Sequence, residues 1–451
     1  MLSSLIAFAA TTLSVTLSSS RYPNITITKL NRTFSSYWVC SLLGPLILFI
    51  FNPRSTISLT LSLFDRSLNV NPLSILLLFF SLTFLSLSLG KTGFFEHIAT
   101  LCLKTFGNSL TKFYWTLFTI VSMTTIFTSN DVVILVLTPI IYNLTKQAGF
   151  DPECFLMCQF FSTNIWSSFL IIGNPTTLYL GAYFNLNFLK YTSTLFLTVI
   201  VAGFLNGFLI YKKASLKLIS SNNDSPSEEV FFDRTGAFIG GLHLFVAVVL
   251  IAVGPIFHLN VTLSSLCVCC CLIVSFFIRQ ICSSSFYAFN YLKKVIVNIP
   301  WTLAIFLLSM FILTLSMERS GVSRVVETTL SDVKTLAPSR LHNLIDVYVY
   351  GITAAFSCNL LNNIPMSVLF ASIINSQKVV STASIYSVAF ASNIGANITP
   401  LGSLAGIMWL GLLKSLGFEL KFSRFIKYGF GVTTIVLFIG LSILGIQSLI
   451  L

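Results

Sequence analysis

Within FTSNDVVILVLTP (Phe127–Pro139), Ser129, Asn130 and Asp131 are polar, while Tyr114–Ile126 upstream and Val132–Tyr142 downstream are apolar enough for lipid. An ionised carboxylate at a membrane midplane costs about 2.5–3.5 kcal/mol on insertion scales. Asp131 therefore needs a protein-lined, hydrated surrounding, or a task. Its sharper reading is a proton-coupling acid; the blander one is a cap for the short helix that follows. Asn362 and Asn363 open a comparable segment, NNIPMSVLFASIIN. Two more polar breaks follow in the same order, GNPTTLYLG (Gly173–Gly181) and ITPLGSLAG (Ile398–Gly406). A helix interrupted in a membrane exposes N–H and C=O groups that protein, water or ligand must satisfy. Pro175 and Pro365 can stop a helix, and Gly173, Gly402 and Gly406 permit tight geometry. The candidate site residues are Ser129, Asn130, Asp131, Asn174, Thr176, Thr177, Asn362, Asn363, Thr399, Gly402 and Ser403. They offer amides, hydroxyls and one carboxylate, with no fixed cation. Such a set suits a small neutral polyhydroxyl solute or a cation better than sulfate or a di- or tricarboxylate.

The elements that would hold these residues follow from composition. Of 451 residues, 55% are hydrophobic and 9% charged, against about 25% charged in soluble domains. Mean hydropathy is +0.89. The apolar runs are long and continuous, which excludes a β-barrel. The expected fold is an all-α polytopic membrane protein with broken transmembrane helices and about ten to twelve spans, at roughly 20 apolar residues per span. Scaffold helices are expected over 1–110, with residues 2–18 as a first helix, and a first core over 111–211. A cytoplasmic linker over 212–235, second scaffold helices over 236–296 and a second core over 297–451 complete the chain. The acidic part of the linker reads as a solvated, flexible connector. Lys212, Lys213 and Lys217, and then Arg279, Lys293 and Lys294, place both of their loops in the cytoplasm by the positive-inside rule.

An internal repeat is suggested by laying NDVVILVLTPIIYN on NNIPMSVLFASIIN, which pairs Asn130 with Asn362. It is strengthened by the second break of each half, where a glycine follows the proline by six residues. The cysteines read as small hydrophobes. CVCCC (Cys267–Cys271) cannot converge three thiols from one helix, and Cys154 with Cys158 makes only a pair. The scattered histidines lack zinc spacing, and no nucleotide-binding P-loop occurs. Neither a metal nor a cofactor is expected.

SNDVVILVLTPII, NNIPMSVL and above all NIGANITPLGSLAGIMWL (Asn393–Leu410) resemble the membrane subunit family of arsenite efflux pumps, within the larger ion transporter superfamily. GNPTTLYLG follows the wider superfamily pattern. The resemblance implies two inverted repeats with re-entrant hairpins, meeting at a substrate site near the midplane. It implies export of arsenite or antimonite driven by the proton gradient, sometimes with an added cytoplasmic ATPase subunit. The expected partners are then a small-molecule or ion substrate, membrane lipid, that ATPase and a second copy in a homodimer, but no nucleic acid. The expected location is the plasma (inner) membrane, multi-pass. The nearest rival cargo is sodium exchanged for protons, or a carboxylate or other anion. Lack of a second intramembrane acid counts against sodium/proton exchange. An intramembrane enzyme would need facing aspartates or a nucleophile with its base, and no such set occurs.

Overall fold

A computed structural model describes residues 2–21, 24–27, 32–63, 72–106, 109–213, 232–282, 288–335, 338–377 and 380–450. Most of the linker (214–231) lies outside them. The chain opens with α1 (Leu2–Arg21) and a short antiparallel hairpin, β1 (Asn24–Ile27) with β2 (Arg32–Ser35), in register Asn24 with Ser35. This hairpin is the departure from an all-α fold, and its Ile25, Thr26, Ile27, Thr33 and Phe34 are good strand formers. The short helices α2 (Ser36–Ser41), α3 (Leu43–Phe51) and α4 (Pro53–Ser62) precede the apolar α5 (Pro72–Gly90) and α6 (Phe94–Phe106). The first core is α7 (Leu110–Phe127), α8 (Asn130–Gln147), α9 (Pro152–Trp166), α10 (Pro175–Tyr183) and α11 (Phe188–Lys213).

The second half runs α12 (Arg234–Val253), α13 (Val261–Cys282), α14 (Ala288–Asn298), α15 (Thr302–Arg319) and α16 (Val322–Thr335). Its core is α17 (His342–Leu361), α18 (Asn363–Asn375), α19 (Thr382–Ile394), α20 (Leu404–Ser415) and α21 (Phe422–Ile450). Glycines in the left-handed region turn the chain after α5 and after α15 alike, Gly93 at φ +77° and Gly321 at +78°. Among the described residues, seven helices are long and apolar enough to cross a membrane, and the broken core helices are shorter or less apolar.

The two cores are folded in opposite senses. Thr111 and Tyr114 at the start of α7 bond Tyr211 and Gly207 near the end of α11. Hence α7 descends from that end, and α8 returns to it as a hairpin. In the second half, Asn343 donates to the Ser448 carbonyl and Tyr348 bonds Ser442, so α17 starts beside the last turns of α21. The Lys213 ammonium meets the Lys427 and Tyr428 carbonyls, which sets α11 and α21 antiparallel. The second hairpin, α17–α18, therefore enters from the other end of the molecule. The broken pairs α9–α10 and α19–α20 run through the centre, where their unwound segments meet.

The scaffold is exchanged between halves. The first helices, α1 to α3, pack on α15, and α12 to α14 pack on α5. Ser4 bonds Ser316 at 2.8 Å, and Thr262 reaches the Ser74 carbonyl. Residues 2–18 are thus a packed part of the fold. In CVCCC, Cys267, Cys270 and Cys271 are exposed, whereas Cys269 is buried against the Ser81 carbonyl.

Candidate functional site

Four helix starts converge at the centre, each with a short polar cap as helix N-termini prefer. Ser129 caps α8 by accepting from the Val132 N–H, and Asn174 caps α10 from Thr176 with Pro175 in the first helical position. Asn362 caps α18 and Ser403 caps α20. The hairpin tips are tied to the breaks by matching backbone bonds. The Asn130 N–H donates to the Gly173 carbonyl at 3.2 Å, and the Asn363 N–H to the Gly402 carbonyl at 2.9 Å. This corrects the sequence pairing of Asn130 with Asn362: the counterpart of Asn130 is Asn363, and Ser129 and Asn362 share the capping role. Likewise Gly173 answers Gly402, and Asn174 answers Ser403, whatever the spacing of proline and glycine. Serine and asparagine cap equally well, so letter identity misplaced the register by one residue where the chemistry is conserved in kind. In this register Asp131 stands opposite Ile364, and only the first hairpin carries an acid at its tip.

A line of amides crosses between the halves. Asn130 Nδ2 donates to Asn164 Oδ1 at 3.3 Å, and Asn164 Nδ2 to Asn397 Oδ1 at 2.8 Å. Asn397 Nδ2 completes the line on the Phe161 carbonyl. Beside it, Asn174 Nδ2 and the Ser167 hydroxyl both donate to Asn393 Oδ1, at 2.6 and 3.3 Å. All of these residues are buried. Thr176 accepts from Ser392 across the same junction at 3.5 Å. Thr177 bonds the Ile171 and Asn174 carbonyls, a local stitch in the break. Thr399 is held by Asn359, whose Oδ1 accepts from both its N–H and its hydroxyl.

Sequence reasoning missed Asn164, Asn359, Asn393 and Asn397 as site residues, though Asn393 and Asn397 lie inside the quoted NIGANITP. A usable signal was present: each is an amide in apolar sequence, within about two turns of a break. It also missed Asp346, a second acid buried in the apolar α17. Asp346 lies in the first turns of its helix, away from the hairpin tip.

Some buried polar groups at the junction have no hydrogen-bond partner among the described residues. Asp131 is 3% exposed, and its carboxylate accepts no hydrogen bond from the described residues. Capping is done by Ser129 instead, so the cap reading does not account for the acid. The Tyr37 hydroxyl, bonded to Thr302 of the scaffold, stands within electrostatic reach of Asp131. On the second hairpin, Asn363 Oδ1 and Ser367 Oγ, one turn apart, are buried without a partner among the described residues. Asn362 adopts φ +70° and ψ 150°, a conformation that costs a non-glycine residue about 1–3 kcal/mol. Together the junction can bind a compact solute through amides, hydroxyls and helix N-termini, with one acid able to exchange a proton.

The family model described as citrate transporter matches residues 25–386. The arsenical pump membrane protein of Escherichia coli (strain K12) is 26% identical over 387 residues, covering 82% of this chain and 85% of that protein. The protein of the same name from Yersinia enterocolitica is 26% identical over 390 residues, with the same coverage. The 46 kDa membrane protein of Mycobacterium leprae is 22% identical over 366 residues, or 77% of this chain and 80% of its own. Among solved structures, the Alcanivorax borkumensis YdaH transporter, whose topology is described as unusual, superposes with a TM-score of 0.50. That match is at 13% identity, over 99% of this chain and 98% of the other, and speaks for the fold alone. The resemblance to arsenite pump membrane subunits is borne out by these relatives. On this evidence the chain is a multi-pass membrane transporter and belongs to the citrate transporter family.

Proposed function

We propose that the chain exports trivalent metalloid, arsenite or antimonite, by alternating access between two inverted halves. The carrying observation is the junction itself. Its bonded groups are amides and hydroxyls from both halves, with no lysine or arginine among them. At neutral pH arsenite is mainly an uncharged trihydroxide, which donates and accepts hydrogen bonds and needs no counter-cation. The relatives named as arsenical pump membrane proteins support the same cargo. Asp131, buried and accepting no hydrogen bond from the described residues, is the group that couples export to proton entry. The opposite senses of the two hairpins support the inverted relation of the halves. The proposal extends to a cytoplasmic ATPase subunit and a second copy of the chain as partners.

A second reading is a carboxylate carrier, favoured by the description of the matching family. Citrate carries charges that a site without cations compensates only through helix N-termini, which ranks it below the neutral solute. The test is uptake of arsenite, antimonite and citrate into inside-out vesicles energised with a proton gradient. The expected result is metalloid uptake, abolished by an uncoupler and by Asp131→Asn. Citrate uptake without metalloid uptake would overturn the assignment, and sodium-driven flux would move it to cation exchange.

A further inference from the structure

A basic seam lies where the last turn of α11 meets the first turns of α21. Lys213 crosses it to the Lys427 and Tyr428 carbonyls, with Nζ 5.7 Å from the centre of the Tyr428 ring. Lys212 lies over the Phe208 ring at 5.7 Å. Lys421, just before α21, and Arg424 and Lys427 in its first turns follow at three-residue spacing and are exposed. Acidic neighbours are few. Glu153 at the start of α9 pairs with Arg424 at 2.5 Å, Asp151 caps α9, and Glu419 precedes Lys421. Among the described residues, Lys212, Lys213 and Lys427 form no ion pair, and the Lys427 charge stands within electrostatic reach of Lys213. Two like charges held together without a carboxylate form a receptor for an anion. Along the same helices toward the membrane interior, Phe204, Phe208 and Phe430 are about half exposed. A soluble acidic partner would meet only the cationic rim, whereas a phospholipid uses the rim for its phosphate and the phenyl wall for its acyl chains.

We propose that this seam binds one anionic phospholipid of the leaflet that faces it, clamping α11 to α21 across the two halves. The site is separate from the transport junction, and lipid retention is read without transport, so its failure leaves the export reading untouched. The full chain is purified in detergent and offered phosphatidylglycerol or phosphatidylcholine, with retained lipid counted by native mass spectrometry and melting followed in parallel. The wild type is expected to retain phosphatidylglycerol preferentially and to melt higher with it. Removing two cations with Lys213→Gln and Lys427→Gln should weaken retention about thirtyfold, at the usual worth of a basic residue beside an anionic lipid surface. The charge-keeping pair Lys213→Arg and Lys427→Arg should retain the lipid, as should Lys190→Gln, which changes a lysine at the far end of α11. Because Lys213 also braces α21, the pair Lys212→Gln and Lys427→Gln gives the same test with that brace in place. Equal retention of both lipids, or retention by either glutamine pair equal to wild type, would overturn the proposal.

Discussion

Asn362 is held in a backbone conformation that glycine adopts freely, yet its side chain is also in use. It accepts from the Ile364 N–H and donates to the Leu401 carbonyl at 3.2 Å. Asn362→Gly relieves the strain and loses the bonds, whereas Asn362→Ala loses the bonds and keeps the strain. The glycine variant should therefore be the more stable by about 1 kcal/mol, which melting of the purified variants checks. Asn164 is the second residue to probe, because it accepts from Asn130 and donates to Asn397. Asn164→Leu strands two buried amide groups and should cost about 2 kcal/mol or more, with transport lost even where protein survives. The residues that declared themselves in the sequence, Asn130, Asp131, Asn362 and Asn363, did so by standing next to one another at an apolar boundary. Asn164 and Asn359 are single amides inside helices, where the residue type is unremarked and only the partner across the fold gives it meaning.

At the scale of elements, the breaks were legible because caps and prolines mark helix starts. The polar residues Ser129–Asp131 and Asn362–Asn363 fall at the starts of α8 and α18. The end of α9 was not legible. SFLIIG, after Trp166, keeps the apolar composition of a helix while its backbone unwinds, since Gly173 must approach the Ser167 carbonyl. A Cβ on Gly173 would come within 2.2 Å of that oxygen. Its counterpart Gly402 has Asn359 Oδ1 at 2.7 Å and Ala396 Cα at 2.9 Å from the same imagined position. Gly402→Ala should displace Asn359 from Thr399 and open the second break. The expected outcome is loss of transport with the protein still inserted, seen as normal membrane yield and absent uptake. An active Gly402→Ala variant would show that the break tolerates a wider loop than this packing allows.

For the whole molecule, composition was enough to name the class. The exchange of scaffold helices between halves was not legible, because apolar helices carry no record of which apolar neighbour they choose. It has a direct test. Fragments 1–213 and 232–451, expressed separately, should each be degraded, since α1 to α3 and α12 to α14 would lack their seats on α15 and α5. Expressed together they should copurify and recover uptake. Recovery of either fragment alone as a stable species would show that the halves are independent units.

The bond between Ser4 and Ser316 joins residues 312 positions apart. At a synthesis rate of about 5–20 residues per second, α1 enters the membrane some 15–60 s before its partner helix exists. Through that interval Ser4 waits for its partner, whereas Thr11 and Thr12 are satisfied at once by bonding back to the Ala7 and Phe8 carbonyls. Assembly of this transporter is consequently timed by its own length, and slowed translation between the halves prolongs the exposure of its first helix.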